Sequence, residues 1–341
     1  MIYINKILPI IVSPLGFITV LLFFGIFRKK MLPSLVGLMT LIILSLPIVS
    51  GQLLKLLEQS YTNIVIVIRD DGSTDATREL ISLYALKHGN KIHQVCSDNE
   101  NRGARDSFSY LIEYVLANKV SLKLDAAYMM LCDQDDIWFE DKIEQQVAAM
   151  LIAEEETEGS KTPLLIHSDL QVVSEQKQPI ANSLIDYQGL EIERNRFTNM
   201  VISNLVTGCT ALINEALAVK AVPVSNQAIM HDWWLALVAS AFGRVIFLAT
   251  PLVHYRQHDS NTIGAKEFVK PTLISQPFWQ QLFDHKSNDH LIEVARQANE
   301  FRQRFGAQLS TRENLYLWLS AGMSAQVGII QRVLYRLARC F

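Results

Sequence analysis

Two acidic clusters in this chain lie at the ends of two apolar runs. Residues 70–75 (DDGSTD) follow the run at 64–68 (IVIVI), and residues 133–136 (DQDD) follow the run at 128–132 (YMMLC). An apolar run without polar residues predicts a strand that is buried on both faces, as in a parallel sheet. Ligands of such sheets bind beyond the carboxyl ends of the strands. The sequence therefore predicts that both clusters lie on the ligand side of an α/β fold.

The rest of the chain alternates between helix-like and strand-like segments. This alternation predicts an α/β fold with a mainly parallel sheet, flanking helices and some mixed strands later in the chain. The predicted helices cover residues 75–88, the surroundings of 108–115, 140–153, 232–242 and a tail from 289. The further predicted strands are at residues 91–96, 164–173, 205–212, 245–248 and 252–255.

The charge balance and the cysteines exclude some classes of protein. The 31 Lys and Arg residues against 34 Asp and Glu residues give a net charge of −3. Without a basic excess, a nucleic-acid partner held by phosphate contacts is not expected. The four cysteines have neither a close pair nor a metal-type spacing, so we interpret them as reduced core residues.

The first 54 residues contain two long uncharged stretches, residues 7–27 and 31–54. The first has 27 − 7 + 1 = 21 residues, and at about 1.5 Å per residue it spans the hydrocarbon layer of about 30 Å. We predict a two-helix transmembrane hairpin over residues 1–58. A cleaved signal peptide is the alternative, but its apolar core would be shorter, and no small-residue cleavage site precedes the second apolar stretch.

The carboxylates at the two strand ends suit a nucleotide and a divalent cation. Asp71 closes a buried strand, where a carboxylate can accept a hydrogen bond from the imide nitrogen of a uracil or thymine base. Asp133 and Asp135 are two residues apart, which lets one contact a ribose while the other binds Mg²⁺ or Mn²⁺. The alternatives are a helix-capping turn at Asp71 and a solvated acidic loop at the second cluster.

Two later residues are candidates for proton transfer and ligand binding. Asp232 opens a predicted helix, where its carboxylate could take the proton from an attacking hydroxyl group. The alternative is that Asp232 caps the helix while the two following tryptophans form core. The imidazole of His258 could contact the metal or the diphosphate, and a plain surface histidine is the alternative.

Taken together, these segments resemble the inverting glycosyltransferases of family 2, and most closely the bacterial rhamnosyltransferase-like members. The matching segments follow one another in the order of the family between residues 59 and 265. They are IVIVIRDDGSTD, NENRG, MLCDQDDIWFEDKIEQQ, HSDLQVV, LVTGCTALIN, HDWWLALVASAFG and LVHYRQHDSNTIGA. The resemblance implies a GT-A fold in residues 59–265. The composition of residues 266–341 predicts a C-terminal helical region that lies at the membrane surface or packs against the rest of the protein.

The resemblance also implies roles for individual residues. Asp71 would contact the base, Asp133 the ribose and Asp135 the metal, while Asp232 would be the general base. The donor-binding set would further include Asp70, Gly103 and His258, and His258 would also be a metal ligand. The implied partners are a nucleotide-sugar donor and a glycan or lipid-linked acceptor in cell-surface polysaccharide synthesis. The implied cofactor is Mg²⁺ or Mn²⁺.

One departure from the family concerns the start of the domain. Family members begin with a central strand, a short loop and a helix, and in this chain the apolar hairpin occupies their place. Loss of that strand would open the middle of the sheet and leave backbone groups unpaired. A non-catalytic, membrane-anchored remnant or scaffold of the same ancestry is therefore the alternative. A phosphatase with an Asp-x-Asp nucleophile is a third possibility, but its lysine and acidic pair are not evident.

The membrane topology is contested within the sequence. The hairpin resembles the two-helix anchor of bacterial envelope-biogenesis proteins, whose soluble domain is periplasmic. The basic tip at residues 28–30 favours that orientation by the positive-inside rule, whereas Lys6, Lys55 and Arg69 compete for the cytoplasmic side. Because nucleotide sugars are cytoplasmic, we predict a bacterial inner-membrane protein with its catalytic domain in the cytoplasm.

Overall fold

The computed structural model describes residues 53–95, 100–134, 136–257, 288–325 and 328–339. The strands are β1 (Ile66–Ile68), β2 (Ile92–Gln94), β3 (Met129–Met130), β4 (Ile137–Trp138), β5 (Leu164–Ser174), β6 (Pro179–Ala181), β7 (Ala211–Ile213) and β8 (Arg244–Gln257). The α-helices are α1 (Thr77–Lys87), α2 (Gly103–Ala117), α3 (Lys142–Glu155), α4 (Leu184–Gln188), α5 (Phe197–Met200), α6 (Glu215–Ala221), α7 (His231–Phe242), α8 (Asp289–Phe305), α9 (Thr311–Ala321) and α10 (Gly328–Arg339). Residues 53–57 are also helical.

The described strands form two sheets, of which the smaller is parallel and the larger is mixed. β1 pairs with β2 in a parallel two-stranded sheet, while the other strands form a six-stranded sheet in the order β3-β7-β5-β8-β4, with β6 beside β5. The β5–β8 pairing is parallel, and the other four pairings of the larger sheet are antiparallel. The prediction of a mainly parallel sheet was therefore wrong. The physical reason is that an apolar run reports burial on both faces, which strands of either direction can have.

Strand β5 forms the centre of the larger sheet and separates two hydrophobic clusters. Leu165 and Ile213 belong to one cluster, whereas Ile166 and Leu212, each one residue away, belong to the other. This alternation follows from side chains that point to opposite faces of a strand at successive residues. Helix α7 packs in the first cluster and α3 in the second. Helix α7, which carries Asp232, and helix α3, which follows the second acidic cluster, thus pack on opposite faces of the sheet.

Helix α7 is buried over residues 231–239, and its last three residues are partly exposed. A helix that is apolar all round requires packing partners on every side, and helix α8 is one of them. The indole ring of Trp234 lies 5.5 Å from the ring of Phe301 and 6.2 Å from that of Phe305, measured between centroids. The C-terminal helices therefore share a hydrophobic core with the larger sheet. The predicted boundary between residues 265 and 266 lies outside the described residues.

The larger sheet and the β1–β2 pair are separate within the described residues. The resemblance to the family implies a further strand beside β1, and the segment that would supply it lies outside the described residues. The predicted hairpin at residues 1–58 lies outside the described residues up to residue 52. Among the helices that the structure describes, none has both the length and the apolar composition needed to cross a bilayer.

Candidate functional site

The first acidic cluster forms a turn between β1 and α1, and the carboxylate of Asp70 holds that turn together. Asp70 is 4% exposed, and it accepts hydrogen bonds from the backbone N–H groups of Gly72 and Ser73, each at 3.2 Å. Nε of Arg78 donates a further bond at 2.7 Å. Burial raises the pKa of Asp70, but these hydrogen bonds outweigh burial and leave the pKa below its ordinary value. Because both oxygens serve the turn, donor binding by Asp70 stays a prediction.

Asp71 connects the same turn to the start of helix α2. Its Oδ1 accepts from the backbone N–H of Arg102 at 2.9 Å and from the hydroxyl of Ser107 at 2.8 Å. Its Oδ2 accepts from the backbone N–H of Gly103 at 2.8 Å. Gly103 has a φ of +72°, which is a left-handed conformation that favours glycine. The structure thus joins Asp71 and Gly103, which the sequence assigns to one donor-binding set.

Arg69 is a member of this site that the sequence analysis did not single out. Its guanidinium group forms an ion pair with Asp71, and its side chain is only 1% exposed. It also donates to the backbone carbonyl of Glu100 and to the hydroxyl of Ser107, both at 2.8 Å. Burial raises the pKa of Asp71, whereas the bonds from Arg102, Arg69 and Ser107 lower it below its ordinary value. Asp71 is therefore an ionised carboxylate at neutral pH.

The second acidic cluster contributes a compact group of possible metal ligands. Carboxylate oxygens of Asp133 and Asp136 and the sulfur of Cys209 all lie within 4.8 Å of one another. Asp136 is 1% exposed, and Asp133 is only partly buried. The predicted ligands Asp135 and His258 lie outside the described residues. The structure thus adds Asp136 and Cys209 to the neighbourhood of Asp133.

These donors differ in how well they fit the predicted cation. Mg²⁺ and Mn²⁺ prefer hard oxygen ligands, so the carboxylates of Asp133 and Asp136 fit them. The thiol of Cys209 does not, because sulfur is a soft ligand; burial raises the pKa of this thiol well above the ordinary value. The two carboxylates therefore form the part of the cluster that suits a divalent cation.

Asp232 lies in the first turn of helix α7, and burial changes its acidity. The carboxylate accepts hydrogen bonds from the backbone N–H groups of Gly208 at 3.0 Å and Trp233 at 2.6 Å. Burial raises its pKa to about 7, the nearby charge of Asp133 acts in the same direction, and the two hydrogen bonds oppose them. The helix is capped by Met230, without a side-chain bond to the helix end. The alternative interpretation of Asp232 as the helix cap was therefore wrong.

The turn that donates to Asp232 fits closely against helix α7. A side chain at Gly208 would place its Cβ 3.0 Å from Nε2 of His231 and 3.6 Å from the Asp232 carboxylate. His231 is buried, which lowers its pKa to about 3 and keeps the imidazole neutral. Its ring contacts that of Phe108 at 4.4 Å between centroids. The residue before the candidate base thus packs against α2, the helix to which Asp71 is bound.

Asp232 also lies in the wall of a cavity of about 1050 Å³. The loop at residues 202–207 forms one side, and helices α8 and α10 contribute His290, Glu293, Arg332 and Arg336 to another. A cavity of this size can hold a large ligand fragment. A hydroxyl group of such a ligand could therefore reach the Asp232 carboxylate.

Residues 51–217, just under half of the chain, match the sequence model of the family described as Glycosyl transferase family 2. The match includes Asp71, Gly103 and Asp133. This segment of the chain is thus similar to family 2 glycosyltransferases.

Three curated proteins resemble this chain in sequence. A "dTDP-rhamnosyl transferase RfbG" of Shigella flexneri is 26% identical over 225 residues, which are 64% of this chain and 71% of that protein. A "Putative teichuronic acid biosynthesis glycosyltransferase TuaG" of Bacillus subtilis (strain 168) is 34% identical over 97 residues, which are 28% of this chain and 34% of the relative. An "Uncharacterized glycosyltransferase RT0329" of Rickettsia typhi is 23% identical, over 60% of this chain and 58% of its own.

Solved structures of S. aureus TarS residues 1–349 also align with the chain. One contains UDP and has a TM-score of 0.40, and the other has a TM-score of 0.42. Both are 14% identical in sequence, and both alignments cover 86% of this chain and 83% of the TarS chain. An alignment with these scores identifies neither a substrate nor the role of a residue.

Several residues of the candidate site became visible only in three dimensions. Arg69 and Ser107 bind Asp71, while Asp136 and Cys209 lie beside Asp133. Arg69 had a weak signal in the sequence, because a charged residue between an apolar run and two aspartates calls for a partner. Cys209 had none, since its position in an apolar segment indicates only a core residue.

Proposed function

We propose that this protein transfers a sugar from a nucleotide-diphosphate donor to a glycan or lipid-linked acceptor, with inversion at the anomeric carbon. The observation that carries the proposal is the state of Asp232. Its buried carboxylate lies in the wall of a large cavity and has a pKa of about 7, which burial and the charge of Asp133 both raise. A general base is most effective when its pKa is near the working pH.

The reaction needs one proton transfer and one displacement. The ionised carboxylate of Asp232 takes the proton of an acceptor hydroxyl group as that oxygen attacks the anomeric carbon. The new carbon–oxygen bond forms on the face opposite the bond to the departing diphosphate, whose oxygen keeps the bonding electron pair. Exclusion of water around Asp232, which is 9% exposed, favours the acceptor over hydrolysis.

The donor side of the site is supplied by the two acidic clusters. Asp71 would accept a hydrogen bond from the base and Asp133 one from the ribose, while Gly103 and His258 would contact the remainder of the nucleotide. Asp71 has one bond at Oδ2, from Gly103, and a carboxylate oxygen can accept two. The names of two relatives support a sugar of surface polysaccharides, with rhamnose as one candidate.

The carboxylates of the second cluster would hold Mg²⁺ or Mn²⁺. Asp133 and Asp136 suit such an ion, together with the predicted ligand Asp135. A bound cation supplies charge stabilisation to the leaving diphosphate. The chain's own contribution is to keep these carboxylates close together, with Asp133 also close enough to influence Asp232.

We further propose that the protein works at the bacterial inner membrane with its catalytic domain in the cytoplasm. The support is the uncharged composition of residues 7–27 and 31–54 and the cytoplasmic origin of nucleotide sugars. Fractionation of cells followed by protease treatment of sealed inverted vesicles tests both parts. Recovery in the soluble fraction would contradict the anchor, and resistance to protease in inverted vesicles would contradict the orientation.

A non-catalytic remnant is the second candidate, and the divided sheet favours it. Within the described residues β1 pairs only with β2. The turn at Asp71, which is proposed to contact the nucleotide base, therefore has little support from the larger sheet. A remnant of this kind would keep the fold of the core and lose turnover.

Release of nucleoside diphosphate by the purified full chain distinguishes the two candidates. The assay uses UDP-, dTDP- and GDP-sugars with Mg²⁺ or Mn²⁺, and Asp232→Asn should lower turnover by about 10²-fold or more with an unchanged donor KM. Asp135→Asn should abolish turnover without unfolding the chain. Asp125→Asn is the control, because Asp125 is an exposed aspartate. Absence of turnover with every donor would support the remnant. A loss of donor affinity in Asp232→Asn would contradict the assignment of Asp232 as the general base.

A further inference from the structure

Helix α3 begins with a lysine that has no contact with solvent. The side chain of Lys142 is 0% exposed, its ammonium donates to Oε1 of Gln146 at 2.5 Å, and it lies 4.0 Å from the centroid of the Trp138 ring. Burial lowers the pKa of Lys142 to about 8, while Cys209, Cys132 and Asp136 act to raise it. The lysine therefore remains largely charged at neutral pH. Because an apolar residue would fill the same space without the cost of burying a charge, Lys142 calls for a functional explanation.

The bond from Lys142 continues to the turn beside Asp232. Nε2 of Gln146 donates to the backbone carbonyl of Thr210 at 2.6 Å. Thr210 ends the 3₁₀ turn Gly208–Thr210, which we call the coupling turn. The first residue of the coupling turn, Gly208, donates its backbone N–H to the Asp232 carboxylate at 3.0 Å. A continuous path of hydrogen bonds and one short turn thus joins Lys142 to the candidate base.

The middle residue of the coupling turn faces the second acidic cluster. The sulfur of Cys209 lies within 4.8 Å of carboxylate oxygens of Asp133 and Asp136. Asp136 is close enough to affect the pKa of both Lys142 and Cys209. The coupling turn is therefore in contact with Asp232 at one end, with the donor-side carboxylates in the middle, and with the path from Lys142 at the other end.

We propose that Lys142 is a positioning residue for glycosyl transfer, whose buried ammonium holds the coupling turn in register between the donor-side carboxylates and Asp232. The inference rests on the proposed function. Lys142 itself contacts neither substrate, since it is fully buried. It acts through Gln146 and the coupling turn on the distance between the base and the reacting atoms, where a displacement of about 1 Å can cost about 10²-fold in rate.

Lys142→Met tests the proposal, because methionine has a similar length and no charge. We expect kcat to fall at least tenfold while the donor KM changes less than threefold, since alignment rather than donor contact is lost. Lys119→Met is the matched control: Lys119 is partly exposed and pairs with Glu215 at 2.6 Å, outside the path. Unchanged kcat in Lys142→Met would overturn the proposal, and so would a rise in donor KM at constant kcat.

Gln146→Met interrupts the same path one step later. It should lower kcat to a similar extent, and the double variant with Lys142→Met should be no slower than the slower single variant, because both remove one connection. Multiplication of the two effects in the double variant would show that the residues act separately and would overturn the proposed path.

A stability measurement separates failure of this proposal from failure of the proposed function. If the parent chain shows no turnover, the proposed function fails, and the coupling between Lys142→Met and Asp136→Asn in urea unfolding still tests the network. We expect a coupling of at least tenfold in the unfolding constant, or about 1.4 kcal/mol. If Lys142→Met does not fold, the double variant should recover folding. A coupling below threefold, or an unfolded double variant, would overturn the placement of Lys142 against the acidic cluster.

Discussion

Asp232 shows how position alone can prepare one residue for proton transfer. Its two backbone hydrogen bonds would lower the pKa, but burial and the charge of Asp133 raise it to about 7. Asp71, with hydrogen bonds from an arginine and two backbone N–H groups, has a pKa below its ordinary value. Two aspartates of one chain are thus suited to different tasks, one to proton transfer and one to permanent negative charge.

The raised pKa of Asp232 predicts the pH dependence of turnover. A base works in its ionised form, so kcat should rise with pH through about 7 and level off above it. The measurement is kcat for transfer from pH 5 to pH 9 at saturating donor. A rise centred near pH 4 would show that the carboxylate has ordinary acidity and would contradict its buried state.

Gly103 allows a comparison between backbone strain and donor binding. Gly103 and Gly159 have nearly the same left-handed φ, +72° and +70°, and both have open space where a Cβ would be. Gly103→Ala and Gly159→Ala should therefore each lower the free energy of unfolding by about 1–2 kcal/mol. Only Gly103→Ala should also weaken donor binding, because backbone strain at this position would displace the N–H that donates to Asp71. Equal donor affinity in the two variants, measured by calorimetry, would argue against a donor role for the Asp71 turn.

At the scale of elements, long periodic segments could be predicted and short ones could not. The helices predicted at 140–153 and 232–242 are α3 and α7, and the strand at 164–173 is β5. The segment at 205–212 was predicted as a strand, yet the chain forms the coupling turn before β7 begins at Ala211. The reason is tertiary, since Gly208 has to approach Asp232 and His231 closely. A local apolar pattern contains no information about that contact.

The candidate site divides in the same way. Asp71, Gly103 and Asp133 belong to short local motifs at strand and helix ends, so their neighbourhood could be predicted. Lys142 could not be, because its burial depends on packing between α3 and the larger sheet rather than on its own neighbours in sequence.

Helix α10 brings a positive charge to the cavity beside Asp232. Arg332 and Arg336, one turn apart, line the cavity, whereas Arg339 of the same helix does not. Arg336→Gln should raise the acceptor KM about tenfold and leave donor hydrolysis unchanged, because a guanidinium group binds phosphate or carboxylate on an acceptor. Arg339→Gln is the control on the same helix. An equal effect of both variants on transfer would attribute the change to the net charge of α10.

At the scale of the molecule, the two sheets differ in their support. β5 is buried along most of its length between β7 and β8, and the C-terminal helices complete the core on one of its faces. β1 is partly buried and has one paired neighbour among the described strands. The Asp71 turn follows β1, so the part of the donor site around Asp71 belongs to the less supported part of the molecule. The proposed general base belongs to the more supported part, because Asp232 is on the buried helix α7.

Hydrogen exchange can measure this difference directly. Amides of β1 and β2 should exchange at least about tenfold faster than amides at residues 164–168, because local opening is easier where fewer apolar contacts are buried. A bound nucleotide sugar should slow the first group more than the second, since it would connect the Asp71 turn to Asp133 across the split. Equal protection in both groups without donor would mean that the two sheets open as one unit. The separation of the β1–β2 pair from the larger sheet would then have no energetic consequence, and the catalytically incompetent remnant would lose its structural support.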